Sequence, residues 1–120
     1  MERITGPSAA ADYVRSYNAA LVGSVLALFL DNNFNLLAMD RLGQGRAADC
    51  EIKPYLLVRR GLQLGAVGFV LIQNSPDRIS NATSEEIGLS REIRRAGEDF
   101  DVHLLNHLIV TRKRVIEVVL

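Results

Sequence analysis

Ala66-Val67-Gly68-Phe69-Val70-Leu71-Ile72-Gln73-Asn74-Ser75-Pro76 is the stretch that decides the fold. Its first seven residues are all apolar or glycine, the composition of a strand buried on both faces in the middle of a sheet that carries helices on each side. Gly65 before it is a natural helix stop, and Asn-Ser-Pro after it marks a loop. A doubly covered central strand belongs to an α/β protein.

Upstream, Pro54 and the helically spaced apolar residues of Tyr55 to Leu62 predict a helix over about 53–64. Leu42-Gly43-Gln44-Gly45 breaks the pattern before Ala47 to Ile52, which reads as a short edge strand. Ser24–Asp31 and Asn35–Asp40 form a hairpin around Asp31-Asn32-Asn33, because Asn and Asp build side-chain turns and tolerate left-handed backbone. Pro7-Ser8 followed by alanines opens a helix to about Tyr17, with Ser8 placed to cap it. Downstream, Thr83–Glu98 reads as a helix with Ile87, Leu89, Ile93 and Ala96 on or near its buried stripe. Strands follow over about Val102–Thr111 and Val115–Leu120, with a turn at Arg112-Lys113.

At 120 residues, with 48% hydrophobic and 23% charged, the chain has the size and composition of one globular domain, taken here as 1–120 with 1–20 as its N-terminal helical segment. Fourteen basic residues balance fourteen acidic ones, so no overall positive field favours DNA. The single Cys50 builds neither an intrachain disulfide nor a thiolate zinc site, and cytoplasm is the expected location. The apolar run Ala19–Leu30 is short of the roughly 20 residues a membrane span needs, and no signal peptide or membrane partner is expected.

Several segments in the same order carry a family resemblance. Leu28-Phe29-Leu30-Asp31-Asn32 is similar to the first hairpin of RadC-like domains in the JAMM/MPN metalloprotease fold, Phe69–Pro76 to their strand into the metal loop, and Leu104–Val110 to their Leu-Asp-His strand. Where the family carries His-Asn-His-Pro and Ser-x-x-Asp, this chain has Gln73-Asn74-Ser75-Pro76 and Thr83-Ser84-Glu85-Glu86. The resemblance implies a single-domain, three-layer α-β-α sandwich of the JAB/MPN (cytidine deaminase-like) type, with a mixed sheet and about three helices. It also implies a zinc on two histidines and an aspartate, with a glutamate moving protons. Here the histidine positions fall at Gln73 and Ser75 and the glutamate position at Gly23, and only Glu86 keeps a carboxylate. An amide, a hydroxyl and one carboxylate make a poor zinc site.

The expectation is therefore a vestigial pocket of Gly23, Gln73, Asn74, Ser75, Thr83 and Glu86 with no catalytic residue, metal or cofactor. A binding or assembly module follows, with an unidentified protein partner or a homodimer through a sheet edge, at Ala47–Ile52 or the closing strand to Leu120. The alternatives are a metal-dependent hydrolase that uses Glu86, and a DNA-associated role by family analogy alone.

Other residues have structural explanations. Thr83-x-x-Glu86 is a capping box. His103 and His107, four apart on a strand, fall on one face about 13 Å apart, too far for one ion; His107 belongs to the framework. Asp77-Arg78 reads as a turn whose aspartate bonds the backbone, Arg112-Lys113-Arg114 as a solvated hairpin tip, and Arg91, Arg94 and Arg95 as an outer face paired with Glu92 and Glu98. Cys50 reads as a small apolar filler, and Ser75 lacks the neighbouring base a nucleophile needs.

Overall fold

Two seven-residue strands, Ser24–Leu30 and Gly68–Asn74, are buried along their whole length, and the other elements are arranged to cover them. The computed structural model describes residues 2–17 and 21–118. These residues run α1 (Pro7–Ser16), β1 (Ser24–Leu30), β2 (Leu36–Gln44), α2 (Pro54–Leu64), β3 (Gly68–Asn74), α3 (Ser84–Glu98), β4 (His103–Val110) and β5 (Val115–Glu117). The sheet order is β2-β1-β3-β4-β5, which puts β3 at the centre. Only β3 and β4 are parallel, and a parallel pair needs a crossover, which α3 supplies.

Side chains alternate across the sheet. Leu26, Leu28, Leu30, Val70, Ile72 and Leu108 pack under α1, through its Ala10, Ala11 and Val14. Val25, Ala27, Phe29, Phe69 and Leu71 face α2 and α3, meeting Leu57, Val58 and Ile93. Each fully buried Leu, Ile or Phe among them contributes about 1.5–3 kcal/mol. The expected mixed-sheet, three-layer α/β sandwich is what the chain forms. No helix of the described residues is long and apolar enough to cross a membrane.

Several boundaries differ from expectation. Gly6, not Ser8, is the N-cap of α1, and no side chain caps it, because Pro7 already begins the helix. The hairpin turn forms as read, with Asp31 Oδ1 accepting from the amides of Asn33 and Asn35, but the residue in left-handed backbone is Phe34 rather than an asparagine. β2 continues through Leu42-Gly43 to Gln44 by means of a bulge opposite Val25/Leu26. Ala47–Ile52 is not an edge strand, since Ala47–Asp49 is a 3₁₀ turn that finds no strand to pair with; the sheet edges are β2 and β5. Gln73 and Asn74 are the last residues of β3 rather than part of a loop. Positions 19–20 of the apolar run and 119–120 of the closing strand lie outside the described residues.

In β4 the pairing shifts between Phe69/Leu104 and Val70/Asn106, so Leu105 is an extra residue. The bulge puts Leu104 on the α2/α3 side and Leu108 on the α1 side, although the two are four apart. His103 and His107 are therefore not on one face: His103 is exposed, and His107 is buried under α3.

Val102 is wedged between α2 and α3, and both helices carry glycine where it fits. A Cβ on Gly61 would lie 2.6 Å from Val102 Cγ1, and one on Gly97 would overlap the Val102 carbonyl oxygen. Gly88, on the same helix as Gly97, has nothing within 4 Å of such a Cβ. Gly97→Ala should thus cost about 1–3 kcal/mol despite the better helix former, whereas Gly88→Ala should gain about 0.5–1 kcal/mol. Urea denaturation of the two variants checks this, and equal effects at the two positions would contradict it.

Candidate functional site

The end of β3 and the start of α3 bring three of the six expected pocket residues together: Gln73, Thr83 and Glu86. Thr83 is the N-cap of α3, and its Oγ1 accepts from the Glu86 amide at 3.2 Å. Glu86 Oε1 accepts from the Thr83 amide at 2.7 Å, which completes the capping box. Gln73 is fully buried on the α3 side of the sheet.

The other three are placed differently. Asn74, one residue on, faces the opposite side, where its Nδ2 donates to the Leu21 carbonyl at 2.9 Å. Ser75 acts through its backbone, its amide donating to Val110 O and its carbonyl accepting from the Arg78 amide. Gly23 holds the strand ends together: its N–H donates to Asn74 O at 2.8 Å and its carbonyl accepts from Gly45 at 2.7 Å. Its φ of +78° is a conformation that side-chain-bearing residues rarely adopt.

The dominant group was missed at the sequence level. Arg78 reaches from the loop after β3 to Glu86 and donates from Nη1 and Nη2 to the two carboxylate oxygens, both at 2.6 Å. The Glu86 side chain is fully buried and that of Arg78 only 9% exposed. Arg78 also donates to the carbonyls of Ser80 and Asn81, which moulds the loop around its guanidinium. Asp77 bonds Arg112 at 2.9 Å instead of the backbone. Burial alone would raise the Glu86 pKa. The Arg78 hydrogen bonds, the Thr83 amide, the nearby Gln73 amide and the charge of Arg78 outweigh it and hold the carboxyl at about 2. No hydrogen bond forms between Gln73 and Glu86, and Gln73 Nε2 is buried without a partner.

Behind this pair lies His107. Its Nδ1 meets the Ser90 hydroxyl in a short hydrogen bond, and its Nε2 is 3.2 Å from Gln73 Oε1. A neutral ring with the proton on Nε2 satisfies both contacts. Burial pushes the His107 pKa down to about 4, with Arg78 adding to the effect and Glu86 opposing it. The framework role expected of His107 is the one it has.

The fully buried stripe of α3 is Glu86, Ser90, Ile93 and Gly97. Of the expected residues Ile93 is on it, Leu89 and Ala96 pack against its flank partly buried, and Ile87 belongs to neither core cluster, because Glu86 and Ser90 take places that apolar periodicity assigns to aliphatics. Among the described residues, no ion pair within 4.0 Å involves Arg91, Arg94 or Arg95, so the expected pairing with Glu92 and Glu98 is not formed. Cys50 packs against the α2/α3 core as a filler, its thiol pKa raised by burial and Asp49.

A family model described as RadC-like JAB domain matches residues 4–118. The chain is similar to a UPF0758 protein of Legionella pneumophila (strain Lens), with 33% identity over 84 residues that cover 70% of this chain and 37% of that protein. A UPF0758 protein of Bordetella pertussis (strain Tohama I) is 32% identical over 104 residues, covering 82% and 46%. One of Methylibium petroleiphilum is 31% identical over 111 residues, covering 92% and 50%. The chain thus spans about half the length of the curated relatives it matches, or less.

Removing the guanidinium strands a buried carboxylate, so Arg78→Met should cost about 3–5 kcal/mol in urea denaturation. Arg78→Lys should recover only part of this, since an ammonium does not match both oxygens in one plane. Acid should act through two groups whose folded pKa lies below the unfolded one: His107, about 4 against 6.5, and Glu86, about 2 against 4.5. In both cases the unfolded chain takes up the proton first. Stability is therefore full above pH 6.5, falls through the His107 window down to about 4, and falls again through the Glu86 window from 4.5 towards 2. The first window should show a slope of up to about 1.4 kcal/mol per pH unit that His107→Gln removes. A profile unchanged by that substitution would contradict the assignment.

Proposed function

The chain belongs to the RadC-like JAB domain family, and on that footing we propose that it is a metal-independent member whose pocket serves the fold and whose role is to bind a protein partner. The weightiest support is the state of Glu86. A zinc site needs carboxylate and imidazole donors free to face the ion, but this carboxylate already accepts two N–H groups from Arg78 and one from Thr83. A divalent ion placed there would also meet the guanidinium charge.

The rest of the donor set does not fit zinc either. Gln73 Oε1 is taken by His107, and among the described residues no three His, Cys, Asp or Glu side chains are grouped to share an ion. The proton-shuttle position implied by the family resemblance is Gly23, whose backbone conformation disfavours any side chain. A sheet-edge homodimer along β2 or β5 is one form the binding role can take.

Protein purified without chelators should carry well under one equivalent of zinc, manganese, iron or nickel by elemental analysis, and added zinc should leave its melting temperature unchanged. Stoichiometric metal that is lost in Glu86→Ala would overturn the proposal in favour of a metal-dependent hydrolase.

A further inference from the structure

β3 and β4 are parallel neighbours, and in α/β sheets ligands bind outside the carboxyl ends of such strands. The loops that leave those two ends, 75–83 and 111–114, enclose a cleft of about 420 Å³ that includes Pro76, Ile79, Thr111 and Arg114. A second cleft of about 270 Å³ adjoins it, sharing Pro76, Thr111 and Arg112 and reaching Tyr17 and Val22. Together they form one groove across this end of the molecule.

Three observations bear on its occupant. First, the groove is edged by exposed apolar side chains: Ile79 at 88%, Val22 at 49% and Tyr17 at 42% exposure. Second, its charge is one-sided in a chain whose net charge is zero. Of the charged groups lining the two clefts, Arg15, Arg112, Lys113 and Arg114 are opposed by Asp77 alone, because the charge of Arg78 is taken by Glu86. Third, the walls are fixed in place. The Arg112 amide donates to Pro76 O at 2.9 Å, Arg114 Nη2 donates to Ile79 O at 2.7 Å, and Arg78 ties the loop to α3. An aliphatic side chain held in solvent on a braced loop is ready to bind without the cost of ordering that loop.

We propose that this groove docks an extended acidic segment of a protein partner, with aliphatic side chains set against Ile79 and the Tyr17/Val22 end and carboxylates facing Arg15, Lys113 and Arg114. The inference rests on the protein-binding role proposed above and names the class of partner. Apolar anchors supply the affinity, and the surrounding cations supply charge selection and speed of encounter.

Fluorescence anisotropy with the whole chain tests it, using a labelled peptide of alternating Glu and Leu as the probe. A Gln/Leu peptide of the same length and a short DNA duplex serve as competitors for the assignment. The Glu/Leu peptide should bind saturably and more weakly as salt rises. Ile79→Asp and Lys113→Glu, both on the surface, should each lower its affinity roughly tenfold, about 1.4 kcal/mol, while their thermal melts match the wild type. Four results would overturn the proposal: no saturable binding of the Glu/Leu peptide, equal binding of the Gln/Leu peptide, normally melting variants that bind like wild type, or preference for the duplex. Metal content of the same preparation reads out the metal-independent proposal separately, so either can fail without the other.

Discussion

A guanidinium pressed against a carboxylate, with both oxygens engaged and almost no exposure to water, sets the terms for the whole strand-to-helix region. Two charges taken out of water cost several kcal/mol each unless their geometry is good and the remaining hydrogen-bonding positions are filled. Here they are. Glu86 receives the Thr83 amide in addition to the fork of Arg78 and sits at the positive end of α3. Arg78 spends its other donors on the carbonyls of its own loop. The pair therefore fixes the start of the helix and the path of the loop with one contact.

From there the constraint passes inward. Gln73 on β3 touches His107 on β4, and His107 returns to α3 through Ser90, four residues after Glu86 and on the same side of the helix. The chain of contacts from Gln73 through His107 to Ser90 returns to the helix where the ion pair sits, so β3, β4 and α3 are held in one relation by polar groups as well as by packing. Its cost is Gln73 Nε2, a buried donor without a partner.

The layers and element order were legible because they rest on local signals: the apolar run into Gln73, the Asp31 turn, Gly65 as a left-handed stop and the Thr83/Glu86 cap. What was not legible depends on partners distant in sequence or on a count of one residue. Arg78 looks like a turn residue until the loop folds it over Glu86. Ser90 has no place in the apolar stripe read from the sequence, although it is wholly buried. The extra Leu105 turns the face of every residue before it relative to those after, and nothing in the composition of β4 announces an insertion. Ala47–Ile52 offers little strand propensity beyond Ile52 and has no neighbouring edge to pair with, so the segment turns instead. Zero net charge likewise hid the gathering of cations at the ends of β3 and β4, since a sum has no position.

Gly23 bears on how such a chain can change over time. Its backbone lies in a region open mainly to glycine, and both its polar groups tie neighbouring strand ends together. A mutation that put glutamate there would meet conformational strain before it could offer any chemistry, and it would do so in a protein already stable without it. Any larger side chain at the hairpin entrance would have to be carried on strained backbone, so this corner of the sheet can change what surrounds it more readily than what it carries.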